Sequence, residues 1–289
     1  MTIIKIAKPL VATCAVVLAG SAIAAEDYSD HRPVLAYAEY ITAPGSGEAG
    51  GIEVFQRDSG NGQISSDFVY GDPRRAGFNG GIAGVNYSVN DANASGDGNL
   101  SNQAWWMRES VNTWTNLLCS ETGIVEIAHN GTVGVVEVFF NSGGTNLPLS
   151  WGSDLTQVGF RSAAQFPYFA INPTVLGVAF TLTWVDGEGN PTDIDNNGKS
   201  DVAFREIYYN DEYDWSDNGG TNFDFPTVAI HEVGHGLSAA HFGMIAVKDG
   251  ALFAKPRTIM NAIYGGPLRE LTGRDEASHC SNWAEWPNN

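Results

Sequence analysis

The sequence predicts an α+β domain with helices packed on one mixed, twisted sheet. Three observations carry that expectation. Val175–Val185 is an unbroken apolar, β-branched run, as a strand buried on both faces requires. Between Ser101 and Leu118, Ala104, Met107, Val111, Trp114 and Leu118 recur at helical spacing, so one face of a helix turns toward a sheet. Strand-like and helix-like stretches then follow one another without the regular alternation of a doubly wound fold.

Composition sets the outer limits. The chain has 289 residues, 43% of them hydrophobic and eight of them Trp, enough for one large domain with a substantial core. Residues 1–25 read as a signal peptide. Lys5 and Lys8 precede a short apolar run from Leu10 to Ala24, and Ala22-Ile23-Ala24 is a small-x-small cleavage signal. The run is too short and too interrupted by Gly and Ser for a membrane span. A secreted protein, extracellular or periplasmic, without stable membrane insertion is expected. The formal net charge is −18, and loss of Lys5 and Lys8 with the leader deepens it by two. Such an acidic surface argues against nucleic acid or anionic membrane as partner. A monomer is expected. Cys119 and Cys280 remain after the leader, and in an oxidising compartment they suit one bridge, two buried thiols being the alternative.

Taken in order, residues 26–79 carry β-like runs at Val34–Ile41, Ile52–Phe55 and Phe68–Tyr70, separated by Gly and Asp/Asn turns. This segment is either a strand cap or a removable pro-segment, and it contains no cysteine. Val85–Val89 is the next strand, and Ser101 is the expected N-cap of the first long helix. Ile124–Ala128 and Val133–Phe140 read as strands, with His129 in the turn between them, and 141–173 as an irregular surface segment. After Val175–Val185, Asp193, Asp195, Asn197 and Asp201 place oxygens at positions 1, 3, 5 and 9 of a loop with Gly198 at position 6. That is calcium-loop spacing, although position 12 is Phe204 where an EF-hand has Glu; a solvated Asx turn is the alternative. Val202–Tyr209 is a further strand, a second long helix starts near Asp224 with Pro226 in its first turn, and Lys248-Asp249-Gly250 suits a hairpin.

The second helix carries His231-Glu232-Val233-Gly234-His235. Residues four apart share a helix face, so both imidazoles can address one ion, with Glu232 a step round from them. His241 lies ten residues beyond His231, about 15 Å along an unbroken helix. A shared ion therefore requires the helix to end after His235 and the chain to turn back. An acid, Glu270 or Asp275, is the alternative third ligand.

Across these residues the chain resembles the metzincin clan of zinc endopeptidases, and within it the matrixins. Leu176-Gly-Val-Ala179 resembles their substrate-pairing edge strand, and Glu206 to Trp215 the strand and acidic turn before their active helix. Thr258-Ile-Met260-Asn-Ala-Ile-Tyr264 resembles the Met-turn, and Leu271-Thr-x-x-Asp275 the start of their last helix. The similarity spans about residues 80–275. It implies a metzincin-like domain over 80–289, with two long helices and a C-terminal Met-turn subdomain. It further implies a secreted zinc metalloendopeptidase acting on protein or peptide substrates. His231, His235 and His241 would hold Zn2+, Glu232 would be general base, and Met260 an apolar floor beneath the ligands. Gly177, Val178 and Ala179 would pair with substrate as an added antiparallel strand, and Tyr264 would line the pocket. Ser238 stands where the family has Gly, at a cost of about 1 kcal/mol if its φ is positive. Phe242 replaces a Ser. Tyr208 replaces a His that holds a second zinc, so none is expected there. These departures motivate a second reading, a secreted calcium-stabilised binding or adhesion protein with an impaired site.

Overall fold

The computed structural model describes residues 27–56, 65–76, 82–97 and 100–287. The expected signal peptide lies outside the described residues. The elements run β1 (Arg32–Thr42), β2 (Ile52–Val54), β3 (Ser66–Asp67), β4 (Asn86–Val89), α1 (Gln103–Thr115), β5 (Val125–Glu126), α2 (Val135–Asn141), β6 (Leu155–Arg161) and α3 (Pro167–Ile171). They continue with β7 (Val175–Val185), β8 (Ser200–Asn210), β9 (Trp215–Ser216), β10 (Phe223–Asp224), α4 (Phe225–Gly236), β11 (Met244–Lys248), β12 (Ala251–Lys255) and α5 (Gly273–Trp283).

The expected α+β arrangement with a mixed sheet is present. Its strand order is β2-β1-β7-β8-β6-β4-β5, with β3 paired to β8. β1 and β8 flank β7 antiparallel, while β6, β4 and β5 continue parallel from β8. Side chains alternate across the sheet and fill a core on each face. Met107, Val111 and Trp114 of α1 and Val228 and Val233 of α4 pack with Leu155, Leu176 and Ile207 on one face. Val135 and Val136 of α2 and Phe169 of α3 pack with Val178, Phe180 and Leu182 on the other. Among the described residues no helix is long and apolar enough to cross a membrane.

Several local expectations are corrected. Val133–Phe140, read as a strand, is mostly helix α2. Its first amides, Val135 and Val136, donate to the buried carboxylate of Glu206 at 2.8 and 2.9 Å, a cap from seventy residues away that local sequence cannot display. Residues 141–173 are not merely surface, since every residue of β6 is buried. The polar residues of β6 conceal it: Gln157 is fully buried and donates to the Met107 carbonyl and, at 3.2 Å, to Ser110 Oγ. α1 is shorter than expected, capped by Asn102, and leaves Leu118 exposed beyond its end. In the third N-terminal run the strand is Ser66–Asp67, one step before Phe68. The hairpin of β11 and β12 turns at Lys248–Ala251, as expected.

Within residues 27–56 and 65–76 the chain contributes to the domain's core. β1 is an inner strand of the main sheet, and Phe68 is fully buried. Arg74 bonds Asp201 at 2.8 Å and Arg75 bonds Asp154 at 2.8 Å, both pairs nearly inaccessible to water. Cys119 and Cys280 form the expected disulfide across 161 residues, tying the loop after α1 to α5. A link closing so long a loop restricts the unfolded chain. Replacing both cysteines by Ser should lower stability by about 3 kcal/mol, read from urea unfolding; unchanged stability would show that the link adds nothing beyond α5 packing.

Candidate metal centre

Helix α4 begins where the sequence places it. Asp224 accepts from the Thr227 amide at 3.2 Å and its hydroxyl at 2.6 Å, and Pro226 occupies the first turn. All residues of α4 are buried. The helix ends at Gly236, and Ser238 takes φ 66°, in the left-handed region. The Ser238 and Ala239 amides close the end on the His235 carbonyl at 3.0 Å and the Gly234 carbonyl at 2.9 Å. The reversal required for His241 is therefore built with Ser in place of Gly. A compensation for the serine comes from β8: Arg205 Nη1 donates to Ser238 Oγ at 2.9 Å and to the Gly236 carbonyl at 3.0 Å. No local pattern at the histidine motif points to Arg205.

The turn brings the three imidazoles together. His235 Nε2 lies 3.0 Å from His231 Nε2 and 3.2 Å from His241 Nε2. A tetrahedral zinc with Zn–N bonds of about 2.0–2.1 Å separates its nitrogens by roughly 3.3 Å, so this donor set fits one ion. Nδ1 of His231 donates to the Ile259 carbonyl at 2.7 Å, and Nδ1 of His235 to the Ala239 carbonyl at 2.8 Å. With the proton on Nδ1, each Nε2 lone pair is free for a metal. Burial holds His231 down at about 4 and, with His231 beside it, His241 at about 3. His235 lies well below its ordinary value through burial and then its two neighbours. All three are neutral at pH 7, as ligands must be. Neither Glu270 nor Asp275 joins this group among the described residues. Asp275 instead accepts from the amides of Ile259 and Met260, both at 3.1 Å, and fixes the turn beneath the histidines.

Met260 sits against α4. A methyl group on Gly234 would lie 2.4 Å from its sulfur, so the glycine makes room for it. Asn261 Nδ2 donates to the Phe242 carbonyl at 2.8 Å, and the Phe242 amide to the Met260 carbonyl at 2.6 Å, holding the strand after His241 to this turn. Tyr264 OH accepts from the Asp224 amide at 2.9 Å, so its hydroxyl secures the start of α4.

Glu232 is fully buried, and neither carboxyl oxygen has a hydrogen-bond partner among the described residues. Burial, then the charge of Glu39, pushes its carboxyl well above the ordinary range. The amides of Ile41 and Ala179 pull the other way without reaching hydrogen-bond geometry. A methyl group on Gly177 would lie 2.9 Å from Glu232 Cγ, so only glycine gives this carboxyl its place. Glu39, which sequence reasoning missed, lies with Oε1 3.4 Å from His235 Nδ1. Burial raises its carboxyl to about 8, opposed by Arg205. The expected free edge at Gly177, Val178 and Ala179 is corrected: β1 already pairs there, with Ile41, Tyr40 and Glu39 opposite them.

The Asp193 loop folds as the spacing suggests. Carboxyl oxygens of Asp193, Asp195 and Asp201 lie within 4.8 Å of one another, and Gly198 takes φ 84°. Asn197 and Gly198 amides donate to Asp193 at 3.0 and 2.9 Å. Asp67 enters from β3 and accepts from Asn197 Nδ2 and Lys199 Nζ, each at 3.0 Å. Burial, an Asp193 hydrogen bond and the charge of Asp67 raise Asp195 to about 6.

Compared with known proteins, the chain matches no family model and no curated protein.

The buried site makes stability depend on pH in a defined way. Without metal, the unfolded chain takes up imidazole protons between about pH 4 and 6.5 that the folded rings refuse, so stability rises with pH there. From 4.5 to about 8 folded Glu39 keeps a proton that its unfolded carboxyl releases, so this group lowers stability as pH rises. Three rings outweigh Glu39 and Glu232 up to about pH 6.5, above which the carboxyls act alone. Urea unfolding in chelator should show a maximum near pH 6.5, and Glu39→Gln should weaken the alkaline decline. A decline of equal size in that variant would exclude Glu39 as its source.

Proposed function

We propose that the protein is a secreted zinc-dependent endopeptidase. The observation that carries this reading is the convergence of three Nε2 atoms at ligand spacing beside a buried carboxyl on the same helix. His231, His235 and His241 would hold the ion, and three imidazoles leave the fourth position open, as in catalytic sites. When bound, zinc supplies Lewis acidity and lowers the pKa of water toward about 7. Glu232 takes the proton of the attacking water and returns it to the leaving amine nitrogen. Met260 packs beneath the helix bearing two of the ligands, and Asp275 holds that turn in place. Purified protein supplied with zinc should cleave a denatured protein, and a chelator should stop it. Glu232→Ala should lower kcat/KM by about 100-fold or more while zinc stays bound; full activity in that variant would remove Glu232 from the mechanism.

A second reading, a binding or adhesion protein with an impaired site, is favoured by one observation: β1 pairs with the edge a substrate would use. Stoichiometric zinc without turnover under any condition would support it. In either reading the Asp193 loop is proposed to hold calcium through Asp193, Asp195, Asn197 and Asp201, hard oxygen donors around a left-handed glycine. Calcium should raise the melting temperature, and Asp193→Asn with Asp195→Asn should abolish the rise. A melt indifferent to calcium would leave the loop an Asx turn.

A further inference from the structure

β1 lies in a place that needs explaining. Its inner edge pairs antiparallel with β7, Glu39 opposite Ala179 and Ile41 opposite Gly177. At its end Thr42 is held from the other side: its amide faces the Ala262 carbonyl at 3.4 Å, and Tyr264 donates to its carbonyl at 3.0 Å. Residues 39–42 thus run between β7 and the segment following Met260, the two backbones that border the histidines. Ile41 is 2% exposed and lines a small cavity with Thr227, Ile259 and Tyr264. Glu39 reaches His235, and Glu232 lies beneath Gly177. An extended chain brought to Glu232 would meet these same amides and carbonyls, because strand addition uses main-chain groups whatever the sequence.

We propose that β1 occupies the groove in which this centre binds an extended peptide, and that the centre is closed until β1 leaves β7. This rests on the peptidase reading. The occupant that replaces β1 is a peptide strand pairing antiparallel with residues 177–179. A tethered strand competes at high effective concentration, so a free peptide binds well only when the tethered one is weakened. β2, which covers the outer edge of β1, is three residues long with Ile52 and Val54 exposed, and flanking backbone bonds from Tyr40 to Gly51 and from Phe55 to Ala36 extend that cover.

The test uses the full zinc-loaded chain carrying Glu232→Gln to prevent turnover. V34C and T183C, opposite one another in the β1–β7 register, allow β1 to be locked by oxidation. The probe is a fluorescent peptide copying residues 35–46, and binding is read by anisotropy. The peptide should bind the reduced protein and bind the oxidised protein about ten-fold or more weakly. The protein without the added cysteines, taken through the same reduction, controls for the Cys119–Cys280 bridge. A second variant, Ala38→Pro, weakens β1 without a lock and should raise peptide affinity by about ten-fold. Equal affinity in the locked and reduced states, or no binding to either weakened form, overturns the proposal. Turnover of a denatured protein by the same pair with Glu232 restored separates the two ideas. Lock-sensitive binding without turnover keeps the groove and removes the peptidase.

Discussion

The buried guanidinium of Arg205 is the contact on which the histidine cluster depends. It stands on β8, fully buried, and reaches three elements at once. It donates to Thr181 Oγ1 of β7 at 3.0 Å, to Ser66 Oγ of β3 at 3.1 Å, and to Gly236 and Ser238 at the end of α4. A cation at a helix C-terminus satisfies carbonyls that the helix leaves unpaired and complements its dipole. Here it also holds the one residue whose left-handed backbone turns His241 toward His231. Without that turn the third imidazole would project along the helix axis, and two ligands would remain. The site is thus assembled by the sheet as much as by the helix.

Arg205 has a second consequence. No carboxylate hydrogen-bonds it among the described residues, and the opposite charge that acts on it most plainly is Glu39. Glu39 in turn stands beside Glu232 and His235, so one cation, two carboxyls and three imidazoles form a single buried electrostatic unit. Two carboxyls in mutual reach disfavour their charged forms, and the fully buried Glu232 lacks hydrogen bonds of its own. A divalent cation at the three Nε2 atoms would reverse that balance, because it would be the largest local charge and would favour both carboxylates.

Much of this was legible from residue spacing. Four-residue spacing puts His231 and His235 on one face of a helix, and Asp224 with Pro226 marked where that helix starts. The need for a reversal before His241 followed from helix rise alone. Val175–Val185 announced itself because a strand buried on both faces is apolar throughout. β6 did not, because its buried Gln157 finds partners on α1 and β8, which removes the penalty that a polar residue otherwise carries inside a core. α2 was read as a strand because its β-branched residues favour one locally, while its cap is a carboxylate on β8. Arg205, Glu39 and Asp67 were missed for the same reason: each acts across the fold, and nothing in its own neighbourhood distinguishes it.

The position of β1 turns on a feature common to all sheet edges. An unpaired edge strand is an adhesive surface, and proteins cover it. For the proposed peptidase, the edge beside the histidines must remain available, so covering it and using it are in conflict. A strand from the same chain covers the edge and gives way to a peptide that makes the same main-chain pairs with β7. β1 pairs along nearly its whole length with β7, while its outer side is covered by β2 over Ile52–Val54 and held at Thr42 by Ala262 and Tyr264. Departure requires the β1–β7 pairs themselves to break, and would uncover Glu39, Ile41 and the histidines together. Access to the metal and exposure of the adhesive edge would become one event.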